Sequence, residues 1–195
     1  VHTTGVYTML TGTEHRTPKV DQTVVSPDDH PHIGSIVGSQ IGWRNGTPPF
    51  FCLPSLFKAP PVEGIWPGQT AGFMGRKFDP FVIDGDKPTA RYRFSEADIP
   101  GDLPAGRLVA RQSLARRLTP AALEEPRVVR NWDELHEQAW SLVDSSGLRA
   151  AANLANESDA THDRYGRHLF GQGMLLARRL LEADVPFVTV YWNDP

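Results

Sequence analysis

The chain has 195 residues, 39% of them hydrophobic, and a formal net charge of -3. That length suits one domain with a real core, and the near-balanced charge lacks the basic footprint of a nucleic-acid binder. No apolar run approaches the roughly 18 residues that a membrane span needs. Cys52 is the single cysteine, so no internal disulfide can form, which leaves the compartment open. Gly and Pro number 17 each, above the usual share, and predict long ordered loops. The chain opens on Val1 without Met and stops at Pro195, just past an apolar run. Both ends read as edges of a piece of a longer protein, so the lack of a visible signal peptide says nothing.

Residues 1–13 predict a loop leading into a short helix. Thr3 or Thr4 caps it, Val6, Met9 and Leu10 share one face, and Gly12 ends it. Residues 14–25 are polar and turn-like. Ser26-Pro27 reads as a cap and first helical residue, with Asp28 and Asp29 on the favourable side of the helix dipole. Pro31, preceded by His30, offers a later start. Ile33, Ile36, Val37 and Ile41 form an apolar stripe, and Gly34 and Gly38 allow close approach to a neighbour. Phe50, Phe51, Cys52 and Leu53 form a short strand closed by Pro54. Residues 54–104, rich in Pro, Gly and aromatics, form a long excursion of the kind that serves function or covers something.

Residues 104–160 read as a helical segment. Leu108, Arg111, Leu114 and Leu118 mark one helix; Trp132, Leu135, Ala139, Leu142 and Val143 mark a second. Ser145-Ser146-Gly147 breaks the pattern, and residues 148–154 form a short Ala-rich helix. Residues 165–183 then predict a helix with Leu169, Gly173, Leu176, Leu180 and Leu181 on or near one face. Asp184 turns the chain. Residues 185–192, V-P-F-V-T-V-Y-W, read as a strand buried on both faces, the parallel-sheet pattern. A helix feeding such a strand is half of a βαβ unit, so the expected class is α/β with a mostly parallel sheet.

Ligands of open parallel sheets bind beyond the carboxyl ends of the strands. Asn193 and Asp194 stand there and are candidate metal ligands, against the simpler reading of a polar turn. His30 and His32, with Asp28 and Asp29, have ligand chemistry if the chain is extended; otherwise they are polar residues at a helix start. His162, Asp163, Arg164 and His168 open the last helix and are expected to lie away from the site, in structural roles. Arg107, Arg111, Arg116 and Arg117 read as a solvated basic face. Trp66, Phe73, Phe78 and Phe81 pin the long loop to the core or offer a stacking platform.

Several stretches together carry a resemblance. They are H-T-T-G-V-Y-T-M-L-T-G at 2–12, H-P-H-I-G-S-I-V-G at 30–38, P-P-F-F-C-L-P at 48–54, P-G-Q-T-A-G-F-M-G at 67–75 and D-P-F-V-I at 79–83. The longest is R-Y-G-R-H-L-F-G-Q-G-M-L-L-A-R-R-L-L-E-A-D-V-P-F-V-T-V at 164–190. The chain resembles the bacterial family DUF1501, sulfatase-like in fold. The resemblance implies an alkaline-phosphatase/sulfatase-like three-layer sandwich with a mostly parallel central sheet, here incomplete, in an exported or periplasmic protein. It implies a divalent metal, calcium or zinc, that activates a nucleophile and neutralises charge on a sulfate or phosphate ester. Most of its ligands, in a W-D-x-H-type segment and beyond, are expected past Trp192. The substrate would be a small-molecule or polysaccharide ester.

The first stretch departs from the sulfatase pattern. Met9-Leu10-Thr11-Gly12 matches the end of the sulfatase nucleophile helix, and counting back puts His2 in the nucleophile slot. The motif's Pro and Arg fall on Thr4 and Val6, so neither a formylglycine-type Cys nor its Arg is present. Thr3 or Thr4 is then the candidate nucleophile at a helix N-terminus, and His2 a candidate metal ligand or acid/base. Either threonine reads equally as a plain cap. The expected function is a metal-dependent hydrolase-like protein. The alternative is a non-catalytic binding or scaffold relative that kept the fold. The sequence fixes no oligomeric state.

Overall fold

The computed structural model describes residues 2–16, 25–58, 64–93, 110, 113–114, 137–142 and 145–192. Its elements are α1 (His2–Thr11), α2 (Ile33–Ile41), β1 (Phe50–Leu53), β2 (Phe81–Val82), β3 (Asp84–Asp86) and β4 (Arg91–Arg93), then α3 (Ser146–Ala152), α4 (Asp159–Tyr165), α5 (Leu169–Glu182) and β5 (Phe187–Val190). Short 3-10 turns cover Gly72–Met74, Arg76–Phe78 and Leu154–Asn156.

β1 is the middle of a three-stranded sheet ordered β2-β1-β5, and both pairings are parallel. Phe51 lies opposite Phe81 on one side and Val188 on the other. Tyr191 extends the pairing by donating its N–H to the Leu53 carbonyl at 2.8 Å. The two faces of β1 are both covered, as a parallel sheet requires. Phe51 and Leu53 point into a core with Leu148, Leu176, Leu180 and Val185 from the α3–α5 side. Phe50 points the other way, onto α2. Helices on both faces of a small parallel sheet make an α/β arrangement. No described helix is long and apolar enough to cross a membrane.

α2 corrects two expectations. It starts at Ile33, not at Ser26 or Pro31. Ser26 and Asp29 instead close a turn, the Ser26 N–H donating to Asp29 Oδ2 at 2.7 Å. The ring of His32 is the cap, Nδ1 accepting from the Gly34 N–H at 2.8 Å. The buried face is Gly34, Ser35 and Gly38, while Ile33 and Ile36 are 50% and 41% exposed. A β-carbon on Gly34 would stand 2.6 Å from the Phe50 ring, and one on Gly38 3.1 Å from Pro49. The helix backbone itself rests on the strand, which turns the isoleucines outward.

The helix expected over 165–183 is α5, which starts later, at Leu169, and Tyr165 is instead the last residue of α4. Gly166 (φ 91°) ends α4, and His168 caps α5 by accepting the Gly171 N–H at its Nδ1. Leu181 is 53% exposed, whereas Leu169, Leu176 and Leu180 are buried as expected. Asp184 does turn the chain, with φ 64°. β5 is half-buried along its length, and β1 is the strand buried throughout. Among the described residues β5 has a strand partner on one side alone, which explains the difference. Ser145 is non-helical and caps α3 through the Leu148 N–H, while Ser146 and Gly147, expected in the break, belong to that helix. Residues 137–142 are helical and Leu142 joins the core. Ala110, Ser113 and Leu114 are helical too, with Leu114 55% exposed, and the remaining helical readings over 104–143, with Arg107, Arg111, Arg116 and Arg117, lie outside the described residues.

Candidate functional site

α5 feeds β5 through a tight turn, so the two must run antiparallel and the helix N-terminus returns to the strand's carboxyl end. Phe170, in the first turn of α5, stacks on Trp192 just past β5, with ring centres 5.1 Å apart. The His168 ring meets Trp192 edge-on at 5.5 Å. The expectation that residues 162–168 lie away from the carboxyl edge is therefore wrong. Their expected structural roles do appear. His162 faces Gln172 Oε1 at 2.6 Å and the Leu154 carbonyl at 3.1 Å, and Arg167 pairs with Asp159 and Asp163.

At that carboxyl edge a cleft of about 390 Å³ opens between the ends of β1, β2 and β5, with Ser55, Lys58, Asp84, Lys87, Phe170 and Tyr191 among its walls. Three segments bring these side chains together. The chain leaves β1 through the cis Leu53–Pro54 bond. Gln69, fully buried, then holds the departing loop: its Oε1 accepts the Phe57 N–H at 2.5 Å, and its Nε2 donates to the Phe57 and Trp66 carbonyls at 3.0 and 2.9 Å. Phe57 in turn lies edge-on to Trp66 at 4.7 Å. On the other wall, the Gly85 N–H donates to the Pro54 carbonyl at 3.0 Å. A β-carbon at Gly85 would meet Leu169 and Pro54 at 2.6 and 2.7 Å, so a glycine is needed to bring the β3–β4 hairpin this close.

The charges in the cleft are mixed, with ammonium groups outnumbering the carboxylate. Lys58 and Lys87 are exposed at its rim, facing one carboxylate, Asp84. Burial pushes the Tyr191 phenol up, with a smaller push from Cys52, so it stays neutral and can donate. Burial likewise raises the Cys52 thiol, helped by the charge of Asp84. Cys52 donates weakly to the Ser55 carbonyl at 3.5 Å and is a packed thiol, not a nucleophile. Ammonium groups beside hydroxyl donors suit an oxyanion.

The sequence-predicted residues fall as follows. His2, Thr3 and Thr4 lie within the first turn of α1, not in a loop before it. Thr3 is 2% exposed, and the Thr4 carbonyl accepts from the Thr8 hydroxyl at 3.0 Å. Neither Thr3 nor Thr4 lines the cleft. α1 reaches the carboxyl edge indirectly: Tyr7 and Thr11 pack on Gly68 (φ 84°), next to the Gln69 that holds Phe57. Asn193 and Asp194 lie outside the described residues.

His32 is occupied as a cap and stacks on Phe50 at 4.8 Å. Asp29 holds the Ser26 N–H and sits 3.5 Å from His15. The aromatics of the long loop do not share a platform: Trp66 is buried, Phe81 packs on Trp43 at 5.3 Å, and Phe73 is 58% exposed. Among the described residues no three His, Cys, Asp or Glu side chains are grouped to hold a metal.

The family model described as "Protein of unknown function (DUF1501)" matches residues 1–194. The chain belongs to the DUF1501 family. No curated protein and no solved structure matches it. In this DUF1501 chain the lysines of the cleft escaped sequence reasoning. Their signal was position alone: S-L-F-K follows Pro54 directly at the end of the buried strand.

Proposed function

We propose that this chain is part of a sulfatase-like hydrolase of sulfate or phosphate esters, and that the cleft beyond β1 receives the ester's anionic group. The observation that carries the reading is the pair Lys58 and Lys87 at the carboxyl edge of the parallel strands. The lysines would neutralise the oxyanion while Ser55 and the neutral Tyr191 phenol donate to it. Of the two candidate nucleophiles, Thr3 is shut off from solvent and Thr4 is half-buried, and neither lines the cleft. A divalent ion, calcium or zinc, would supply Lewis-acid activation when bound. Asn193 and Asp194 are its proposed ligands on topology, and export and the three-layer sandwich are proposed from the resemblance. The test is hydrolysis of 4-nitrophenyl sulfate and 4-nitrophenyl phosphate by the full chain with added calcium, zinc or manganese. No turnover of either ester with any of the three ions would sink hydrolysis.

A second reading, a non-catalytic binding relative, is favoured by the closure of Thr3 within α1 and by His2 and Val6 standing in the sulfatase Cys and Arg slots. It predicts that His2→Ala with Thr4→Ala leaves ester binding unchanged and that the unsubstituted chain shows no turnover to lose. Turnover abolished by that double change would remove it.

A further inference from the structure

The β3–β4 hairpin divides the cleft above from a second one. Asp84 and Lys87 face the first; Arg91 and Tyr92 face the second, a cleft of about 810 Å³ whose far wall is built by α3 and α4. Arg149, Asn153, His162 and Arg167 line that wall, and no Asp or Glu lines the cleft among the described residues. In a chain of net charge -3 this is a local excess of positive charge.

The cations are not equivalent. Arg167 is held by Asp159 at 2.7 Å and by Asp163, so its charge is largely met. His162 is taken up by Gln172 and the Leu154 carbonyl. Arg91 and Arg149 have no carboxylate partner among the described residues, and Arg91 is exposed at the mouth. Nη1 of Arg149 is buried and has no hydrogen-bond partner among the described residues. A buried, unmet N–H is costly, and an acceptor arriving in the cleft would meet it. The floor is apolar, with Ile83 and Leu154 packed into the core and the Tyr92 hydroxyl turned away to the Leu169 carbonyl at 2.9 Å. The space far exceeds a lone inorganic anion and falls in the size range of small-molecule sites.

We propose that this second cleft binds a small organic molecule carrying a phosphate or sulfate group, with Arg149 and Arg91 holding the oxyanion and the apolar floor receiving the body. Guanidinium forks match tetrahedral oxyanions with two parallel N–H···O bonds. The site is distinct from the lysine-lined cleft and would stand even if that cleft hydrolyses nothing.

The test is calorimetric titration of the full chain with glucose 6-phosphate, glucose 6-sulfate, inorganic phosphate and neutral glucose. The two sugar esters are expected to bind, with affinity falling as salt is raised. Inorganic phosphate should bind more weakly, and glucose not at all. Arg149→Gln and Arg91→Gln should each weaken the esters by about tenfold, and Arg149→Lys should recover part of the loss. Arg91→Gln is a surface change and guards against a misfolded Arg149 variant. Absence of ester binding at about 10 mM, or binding that survives both Gln variants, overturns the proposal. So does binding abolished by Lys58→Ala with Lys87→Ala, which would put the anion in the other cleft.

Discussion

Phe170 and Trp192 lie face to face, 5.1 Å between ring centres and 18° from parallel, although 22 positions apart in the chain. The stack fixes the N-terminus of α5 to the carboxyl end of β5 and so walls one side of the lysine-lined cleft. Phe170 is buried and Trp192 is 56% exposed. Phe170→Ala should therefore cost about 3 kcal/mol and Trp192→Ala about 1 kcal/mol. Chemical denaturation measures both. Equal costs, or a Phe170 cost below about 0.5 kcal/mol, would show that the stack anchors nothing.

Gly34 and Gly5 make opposite predictions for the same change. The Phe50 ring fills the space where a Gly34 β-carbon would go, and Phe50 is itself buried. Gly34→Ala should destabilise by about 2 kcal/mol. Gly5 lies inside α1 with open space around it, so Gly5→Ala should stabilise by about 0.5–1 kcal/mol. A stabilising Gly34→Ala would mean that α2 does not rest on β1 as described.

His32 makes stability depend on pH. Burial holds its imidazole down at about 4, against 6.5 when unfolded. Between these values the unfolded chain takes up a proton that the folded chain refuses. Stability is thus fully present above pH 6.5 and is lost as pH falls toward 4. The loss from this one group is at most about 3 kcal/mol. His32→Asn keeps an acceptor for the cap and removes the titration. Its unfolding free energy should fall less steeply from pH 7 to pH 4.5 than that of the unsubstituted chain; identical slopes would exclude His32 as the cause.

Gln69 holds the loop that carries Ser55 and Lys58. Gln69→Ala leaves the Phe57 N–H without its partner, while the Phe57 carbonyl keeps the Trp66 N–H at 3.2 Å, and should cost about 2 kcal/mol. Hydrogen exchange at Phe57 should speed up by more than tenfold. Unchanged exchange there would show that another contact sets the loop.

Much of the scaffold was legible because its signals are local. F-F-C-L followed by Pro54 named the central strand, and the apolar run after Asp184 named its parallel partner. The buried face of α2 was not legible, since an isoleucine stripe usually marks the core side and here two glycines and a serine take that place. The start of α5 at Leu169 was hidden because polar Tyr165–His168 precede its apolar stripe without a strong stop signal besides Gly166. His168 lies at the carboxyl edge because α5 runs antiparallel to β5, which returns the helix N-terminus to the strand's end. The cleft itself was out of reach of sequence reading: its lysines come from loops 29 residues apart and meet only once β1, β2 and β5 are paired. His2, Thr3 and Thr4 were rightly seen at the start of a helix, but they lie within it and not ahead of it.

The central claim is that the lysine-lined cleft takes the ester's anionic group. The most direct measurement is binding and turnover of 4-nitrophenyl sulfate and phosphate by the full chain and by Lys58→Ala with Lys87→Ala, in parallel with a thermal melt. Both lysines are exposed, so the melt should not move. The account predicts a loss of ester affinity of at least about tenfold in the double variant. Unchanged affinity and turnover in a folded double variant would contradict it.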